Sequence, residues 1–237
     1  MKEYKKILTF SFDDGVTQDI RLIELFDRYG LKGTFNLNSE LLGKPGELRY
    51  DYGRVDHNKV APADVKTIYA GHEVAVHTLT HPTLPGVAHD GEIIRQVEQD
   101  RLNLSELVGY EVFGMAYPGG GTNFDSRCAE LIRANTGVKY ARTTVSTYAF
   151  APTQGDLIQF HPTCHFLRGE PDLTTLANRF LNGEDDGLQL FYVWGHSYEM
   201  DLWNAWDKFE AFCQLISKRD DVLYATNLEA FRYANLL

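Results

Sequence analysis

Long basic runs are missing from this sequence: no stretch of Lys or Arg exceeds two residues, and 23 basic side chains stand against 33 acidic ones, a net charge of −10. A nucleic-acid binder needs a basic footprint, so polyanionic nucleic acids are excluded as partners. Cysteine is scarce. The three present, Cys128, Cys164 and Cys213, are odd in number and lack the CxxC spacing of a zinc knuckle or redox pair, which fits a reducing compartment. No apolar run approaches the roughly 18 residues of a membrane span, and the N-terminus passes directly from charges into a short strand-like run without a signal-peptide core. Membrane insertion is excluded on this reading and a cytoplasmic location expected. Low-complexity tracts are absent.

What is present is regular alternation. Ile7 to Phe12 is β-rich and ends at Asp13-Asp14-Gly15; Thr17 then caps a helix with Ile20, Ile23, Phe26 and Tyr29 at helical spacing, stopped by Gly30. Further strands are predicted at Thr34–Leu37, Glu73–Val76, Val112–Tyr117, Val138–Arg142, Leu157–Phe160, Leu188–Trp194 and Val222–Ala225. Between them the spacing predicts helices over Pro62–Ala70, Glu92–Val108, Asp125–Ala134, Thr174–Leu181, Trp203–Lys218 and Leu228–Asn235. A β-then-α rhythm implies parallel strands with right-handed crossovers. About eight such units in 237 residues predict an α/β fold, a single-domain irregular (β/α) barrel of seven or eight strands over residues 1–237, with a doubly wound open sheet as the alternative. Two stretches interrupt the rhythm, Ser39–Ala61 and Val145–Gly155, and read as insertions that shape a site.

Parallel α/β folds place their sites at the carboxyl ends of strands. The residues there are Asp13-Asp14, Asn36 and Asn38, His77 and His81, Tyr117-Pro118-Gly119, Arg142, His161 and His196. His77-Thr-Leu-Thr-His81 spaces two imidazoles four apart, which on a helical turn lets them share a metal ion; taken alone, they are equally ordinary loop histidines. Asp13-Asp14-Gly15 is also a common strand-to-helix turn. Adjacent carboxylates on extended backbone point apart, however, so one can bind a metal while its neighbour faces the water beside it. Two histidines and a carboxylate with open positions are the ligand set of hydrolytic zinc, and related divalent ions fit as well. His72 and His89 read as packing or surface residues.

Together Phe10-Ser-Phe-Asp-Asp-Gly15, His77-Thr-Leu-Thr-His81 and Val193-Trp-Gly-His196 resemble motifs one, two and five of the NodB-homology polysaccharide deacetylases, carbohydrate esterase family 4, in the family's order. The resemblance implies an irregular barrel with a divalent metal, usually Zn2+ with Co2+ or Ni2+ as alternatives, that hydrolyses an acetyl group, foremost N-acetyl, on a sugar. By position it implies Asp14, His77 and His81 as metal ligands, Asp13 as general base and His196 as general acid. A metal lowers the pKa of a coordinated water, and Asp13 can take its proton as it attacks the acetyl carbonyl. The glycine-rich turn after Tyr117 suits oxyanion stabilisation by a backbone N–H, in the family that of the residue after proline, here Gly119. Val193 is read at the place of the family leucine that lines the acetyl pocket, with Trp194 as a wall; core packing is the alternative for both.

Two motifs depart from the family. Ala116 stands where motif three carries the arginine that pairs with the base, and Arg142 is the candidate substitute, with an exposed surface arginine as the alternative reading. Motif four, with its aspartate, has no clean match in Leu157–His165, so His161, His165 or Glu199, three residues after His196, are candidates to support that histidine. Gly119-Gly-Gly-Thr-Asn123 lacks a Walker lysine and reads as a tight turn with Asn123 as N-cap. Tyr50, Tyr52, Tyr148, Tyr198 and Trp203 lie near loops and would suit sugar stacking. The expected partner is therefore an acetylated carbohydrate or small amide. Competing readings are an allantoinase-like ureide hydrolase and a non-catalytic carbohydrate-binding relative.

Overall fold

The computed structural model describes residues 3–152, 155–183 and 187–237 of the chain. Among them, β1 (Lys6–Asp13) is the central strand, buried on both faces, with Leu8, Phe10 and Phe12 on one and Ile7, Thr9, Ser11 and Asp13 on the other. It pairs in parallel with β2 (Thr34–Leu37) along its second half and with β9 (Gln189–Gly195) along the opposite edge. Its first half pairs with β10 (Val222–Tyr224) on the edge that β2 takes further along. Outward from β2 lie β5 (Glu73–Val76), β6 (Gly114–Ala116) and β7 (Tyr140–Arg142); outward from β9 lies β8 (Cys164–His165). These eight strands form one parallel sheet, and β3 (Glu47–Tyr50) with β4 (Gly53–Asp56) makes a separate antiparallel hairpin. The sheet curls. Residues 160–166 bridge its two edges: Phe160 bonds to Ala141 and Thr143 beside β7, whereas Thr163 and Phe166 bond to Tyr192 and Trp194 of β9.

Helices cover the outside. α1 (Asp19–Tyr29) buries Leu22, Ile23, Leu25 and Phe26 and ends at Gly30, whose φ of 67° lets Leu31 N–H reach back to the Phe26 carbonyl. α2 (Val65–Ile68), α3 (Asp90–Val108), α4 (Ser126–Asn135), α5 (Leu173–Asn182), α6 (Tyr198–Leu202), α7 (Trp206–Ile216) and α8 (Asn227–Tyr233) follow between strands. The core between β1 and α1 is aromatic: Phe10 packs on Phe26 at 4.7 Å, and Phe12 meets Phe26, Phe35, Phe166 and Phe209. Truncating such a ring to alanine costs about 3–5 kcal/mol.

Several local expectations are corrected. Leu157–Gln159 is a 3-10 turn, and the strand in that region is the short β8, because the chain must cross from one sheet edge to the other there. The helix expected over Trp203–Lys218 is α7, Trp206–Ile216; Asn204, whose φ is 49°, lies between it and the unpredicted short α6, and asparagine tolerates that left-handed conformation. The predicted helix Pro62–Ala70 is a 3-10 turn followed by a single α-helical turn. Gln18 rather than Thr17 occupies the N-cap position of α1, and Asp125, accepting from Cys128 N–H, caps α4 in place of Asn123. Asn123 instead donates to the Tyr117 and Gly119 carbonyls, pinning the glycine turn from within. No described helix is long and apolar enough to cross a membrane.

Candidate active site

The carboxyl ends of β1, β5, β6 and β9 converge on a cavity of about 690 Å³, lined by Asp13, Asp14, His77, His81, Gly119, Trp194 and His196 among others. β1 delivers the two aspartates. Asp14 has a φ of 85°, a conformation a non-glycine residue adopts at a cost, and it turns its carboxylate away from that of Asp13. His77 and His81 do not sit on a helical turn: they belong to a loop in which Thr78 (φ 67°) and His81 (φ 63°) are also left-handed. Such strain costs about 1–3 kcal/mol per residue and concentrates at functional sites. The loop brings the rings to 4.9 Å between centroids.

Asp14 Oδ1 lies 3.5 Å from His81 Nε2 and 3.9 Å from His77 Nε2, and Asp14 Oδ1 and His77 Nε2 are buried without any hydrogen-bond partner. Buried polar atoms are rarely left unsatisfied, so this convergence of one carboxylate oxygen and two imidazole nitrogens fits a divalent cation. The tautomer suits it. His77 Nδ1–H donates to the Ala116 carbonyl at 2.9 Å, leaving Nε2 as the free lone pair. Burial above all holds the His77 pKa down, to about 4, with His81 adding to the effect, so the ring is neutral and able to ligate. Burial alone would raise the Asp14 pKa; Lys59, His57, His196 and His77 reverse that and hold it well below the usual range.

Asp13 is held from two sides. Oδ1 accepts from Asn36 Nδ2 at 2.8 Å, and Oδ2 accepts from Arg142 Nη2. Arg142 is fully buried, donates also to Ser11 Oγ and the Thr143 carbonyl, and lies over the Trp194 ring at 4.4 Å. Burial works to raise the Asp13 pKa, but Arg142, then His77 and His196, bring it below normal. The guanidinium therefore stands next to Asp13 from β7, in the absence of an arginine at position 116.

His196 follows β9, its Nε2 3.9 Å from Asp13 Oδ2 and its Nδ1 3.1 Å from Glu199 Oε2. Glu199 is 1% exposed and also receives His165 Nε2 at 2.9 Å and Arg168 Nη2. Burial disfavours the His196 imidazolium, yet the Glu199 hydrogen bond and charge, with Asp14 and Asp13, outweigh it and raise the pKa. Gly119 has φ 85°, and a Cβ there would meet Thr83 Oγ1 at 2.8 Å, so only glycine fits this wall of the cavity.

Other candidates lie elsewhere. Val193 is packed in the core while Trp194 lines the cavity, because side chains alternate along β9 and Trp194 shares its face with His196. Tyr117 is buried with its hydroxyl donating to the Ile158 carbonyl, and His161 bonds Thr143 Oγ1 beside Phe124; neither lines the cavity. The 39–61 insertion does shape the site, through Leu41, Lys44, Tyr50, Tyr52, His57 and Lys59. Residues 153 and 154 of the 145–155 insertion lie outside the described residues, and its described part contributes nothing to this cavity. Tyr50, Tyr52 and Trp203 stack on one another at the mouth, Tyr198 packs between His57 and His196, and Tyr148 is remote, under Gly169. Sequence reasoning missed His57, whose Nε2 lies 3.1 Å from Asp14 Oδ2, and Lys59, which donates to the Asp14 carbonyl at 2.6 Å. It also missed Arg168. All three come from irregular segments whose path no periodicity foretells.

Comparison with known proteins gives a consistent outcome. No curated protein sequence matches the chain. Among solved structures, a Mycobacterium smegmatis protein described as a polysaccharide deacetylase superposes with a TM-score of 0.66 at 17% identity, covering 99% of this chain and 92% of that one. A mutant of a CE4-family pseudoenzyme with restored enzymatic activity gives 0.59 at 16%, covering 94% and 66%. The Streptococcus pyogenes deacetylase PplD, in complex with acetate, gives 0.51 at 18% over 64% of this chain, which spans only 61% of that protein. At these identities the likeness establishes the fold, a curled NodB-type α/β sheet. The family model for polysaccharide deacetylases matches residues 1–141, more than half the sequence and inclusive of both the aspartate pair and the histidine pair, and the chain belongs to that family.

Proposed function

We propose that this chain is a divalent-metal-dependent hydrolase that removes an acetyl group from a sugar, most naturally from an N-acetylated one. The observation that carries the reading is the adjacency of two arrangements: orphaned buried ligand atoms on Asp14 and His77 beside His81, and an ionised Asp13 set between Arg142 and His196. Asp14, His77 and His81 would hold the ion, and zinc is the first choice for one carboxylate and two imidazoles. When bound, the ion supplies Lewis acidity toward a water and an acyl carbonyl.

The protein's own groups do the rest. Asp13, kept ionised by Arg142, accepts a proton from the attacking water as the water oxygen bonds to the acyl carbon. The Gly119 N–H, at the cavity wall, is the backbone donor for the oxyanion. His196, whose imidazolium form Glu199 favours, donates to the leaving nitrogen as the carbon–nitrogen bond breaks, giving acetate and an amine. Glu199, with His165 on its other side, takes the orienting part that the family assigns to the absent motif-four aspartate. Retention of all five residues favours catalysis over binding alone.

The test is acetate release from a panel of N- and O-acetylated sugars and small cyclic amides, with chelation and Zn2+, Co2+ or Ni2+ add-back. Metal-dependent release from acetylated sugars, lost in Asp13→Asn, is expected. Sugar binding without release would mark a non-catalytic relative, and turnover of cyclic amides alone would replace the sugar by a ureide.

A further inference from the structure

Resting on the hydrolase reading above, we propose that the substrate bears an oxyanion, a carboxylate or a sulfate ester, which Arg168 and Lys44 seat at the rim of the cavity. The chain as a whole carries a charge of −10, yet the cavity is lined by three cationic side chains, Lys44, Lys59 and Arg168, against two acidic ones, Asp13 and Asp14. Both acids are already matched. Asp13 is paired with the buried Arg142, and Asp14 is paired with Lys59 and faces the proposed ion. Of the remaining cations, Lys44 makes no ion pair among the described residues, and Arg168 is paired through one arm only, with Glu199.

Arg168 is built to receive a ligand. Its Nη2 is tied to Glu199, whose side chain is 1% exposed, while its own side chain is 66% exposed. One arm of the guanidinium is thus anchored, and no other acceptor holds the rest of the fork among the described residues. A planar fork with free N–H groups matches the geometry of a carboxylate or sulfate. Lys44 enters from a different segment, the 39–61 insertion, and makes no ion pair among the described residues. The unpaired Lys44 and the free arm of Arg168, at the rim of the cavity, attract anions and repel cations. A neutral acetylated sugar offers these groups only hydroxyl and carbonyl acceptors, whereas an oxyanion adds charge-assisted hydrogen bonds.

The probes are N-acetylglucosamine oligosaccharides carrying a carboxylate (as a carboxymethyl ether or oxidised at C6) or an O-sulfate, each compared with a neutral counterpart, the methyl ester or the unsulfated oligosaccharide. With the metal-loaded full chain, kcat/KM for at least one anionic form exceeds that of its neutral counterpart by roughly tenfold at low salt, the gain from one charge-assisted contact at an exposed site. The difference resides in KM. Arg168→Gln and Lys44→Gln reduce the anionic-to-neutral ratio toward one whatever they do to the neutral rate, and Arg168→Lys restores part of it. Carboxylate and sulfate arms distinguish which oxyanion is preferred. Equal or better turnover of the neutral forms throughout overturns the inference and leaves the deacetylase reading intact. If nothing is hydrolysed, that reading fails, and calorimetric binding of anionic against neutral ligand still decides this one: no preference overturns it.

Discussion

Replacing Arg142 by methionine tests how the proposed base is kept ionised. Both partners of the pair are withdrawn from water, the Arg142 side chain fully and that of Asp13 to 2% exposure. Removing one member of such a pair costs about 3–5 kcal/mol, because the remaining charge is stranded. Arg142 also holds Ser11 and the Thr143 carbonyl and packs on Trp194, so the upper end of that range is expected. The effect on chemistry follows from the order of influences on Asp13. Burial, the largest, raises its pKa, and Arg142 is the first of those that lower it. Without the guanidinium the carboxylate protonates at higher pH. Since the base acts ionised, the acid limb of the kcat/KM profile for acetate release moves upward by about 1–3 pH units. Stability moves with it: a depressed carboxylate pKa contributes above the unfolded value and is lost as pH falls, so the variant's deficit is largest near neutrality and shrinks in acid. Arg142→Lys keeps the charge without the fork and shifts the limb less. A folded Arg142→Met enzyme whose acid limb coincides with that of the parent would refute the argument.

Glu199→Gln withdraws the charge that supports the His196 imidazolium, so the basic limb of the same profile shifts down by about one unit, roughly a tenfold loss of rate above the limb; an unmoved basic limb contradicts the assignment. Zn2+ at about a hundred times its Kd stabilises the fold by about 2.7 kcal/mol, a Tm rise of roughly 5–11 °C for a chain of this size. His77→Ala abolishes that rise, and elemental analysis of the dialysed protein reads the lost ion directly. Asp19, buried and bonded by Ser197 and Tyr69, has its pKa raised to about 7, chiefly by burial. Its contribution is complete below about 4 and lost as pH rises toward 7, so Asp19→Asn flattens a slope of up to about 1.4 kcal/mol per pH unit in denaturation midpoints over that window.

Strand ends were the legible part of this sequence. The run Ile7–Phe12 into Asp13-Asp14-Gly15 announced both a buried strand and its turn, and the structure extends that strand only to Lys6 and Asp13. The histidine pair was legible as a pair while its conformation was not: the fourfold spacing suggested a helical turn, whereas two left-handed residues bring the rings together. Arg142 closes a predicted strand, but its reach to Asp13 from β7 depends on the curl of the sheet, which no local pattern encodes. For Val193 and Trp194 two readings were open, core packing and pocket wall, and alternation along β9 divides them, placing Val193 in the core and Trp194 at the cavity. His57, Lys59 and Arg168 reach the cavity through irregular backbone, where turn chemistry and tertiary contacts, rather than period, decide direction.

The mouth of the cavity has a consequence for how this scaffold diversifies. Asp13 and Asp14 hang from a strand with three hydrogen-bonded neighbours, the most shielded place in the sheet, whereas Tyr50 and Tyr52 ride on a two-stranded hairpin tied across to the Trp203 ring. Amide exchange should therefore separate the two: slow, globally gated protons along Leu8–Phe12, and fast, locally gated ones along residues 47–56. Insertions and substitutions accumulate in segments that open without unfolding the rest. The 39–61 insertion that holds this hairpin carries about half the lining of the cavity and, apart from His57 and Lys59, none of the groups that touch the aspartates. The wall of the cavity can drift in this protein while the aspartate and histidine cluster stays fixed, and the aromatic stack of Tyr50, Tyr52 and Trp203 is what ties the hairpin to the end of α6.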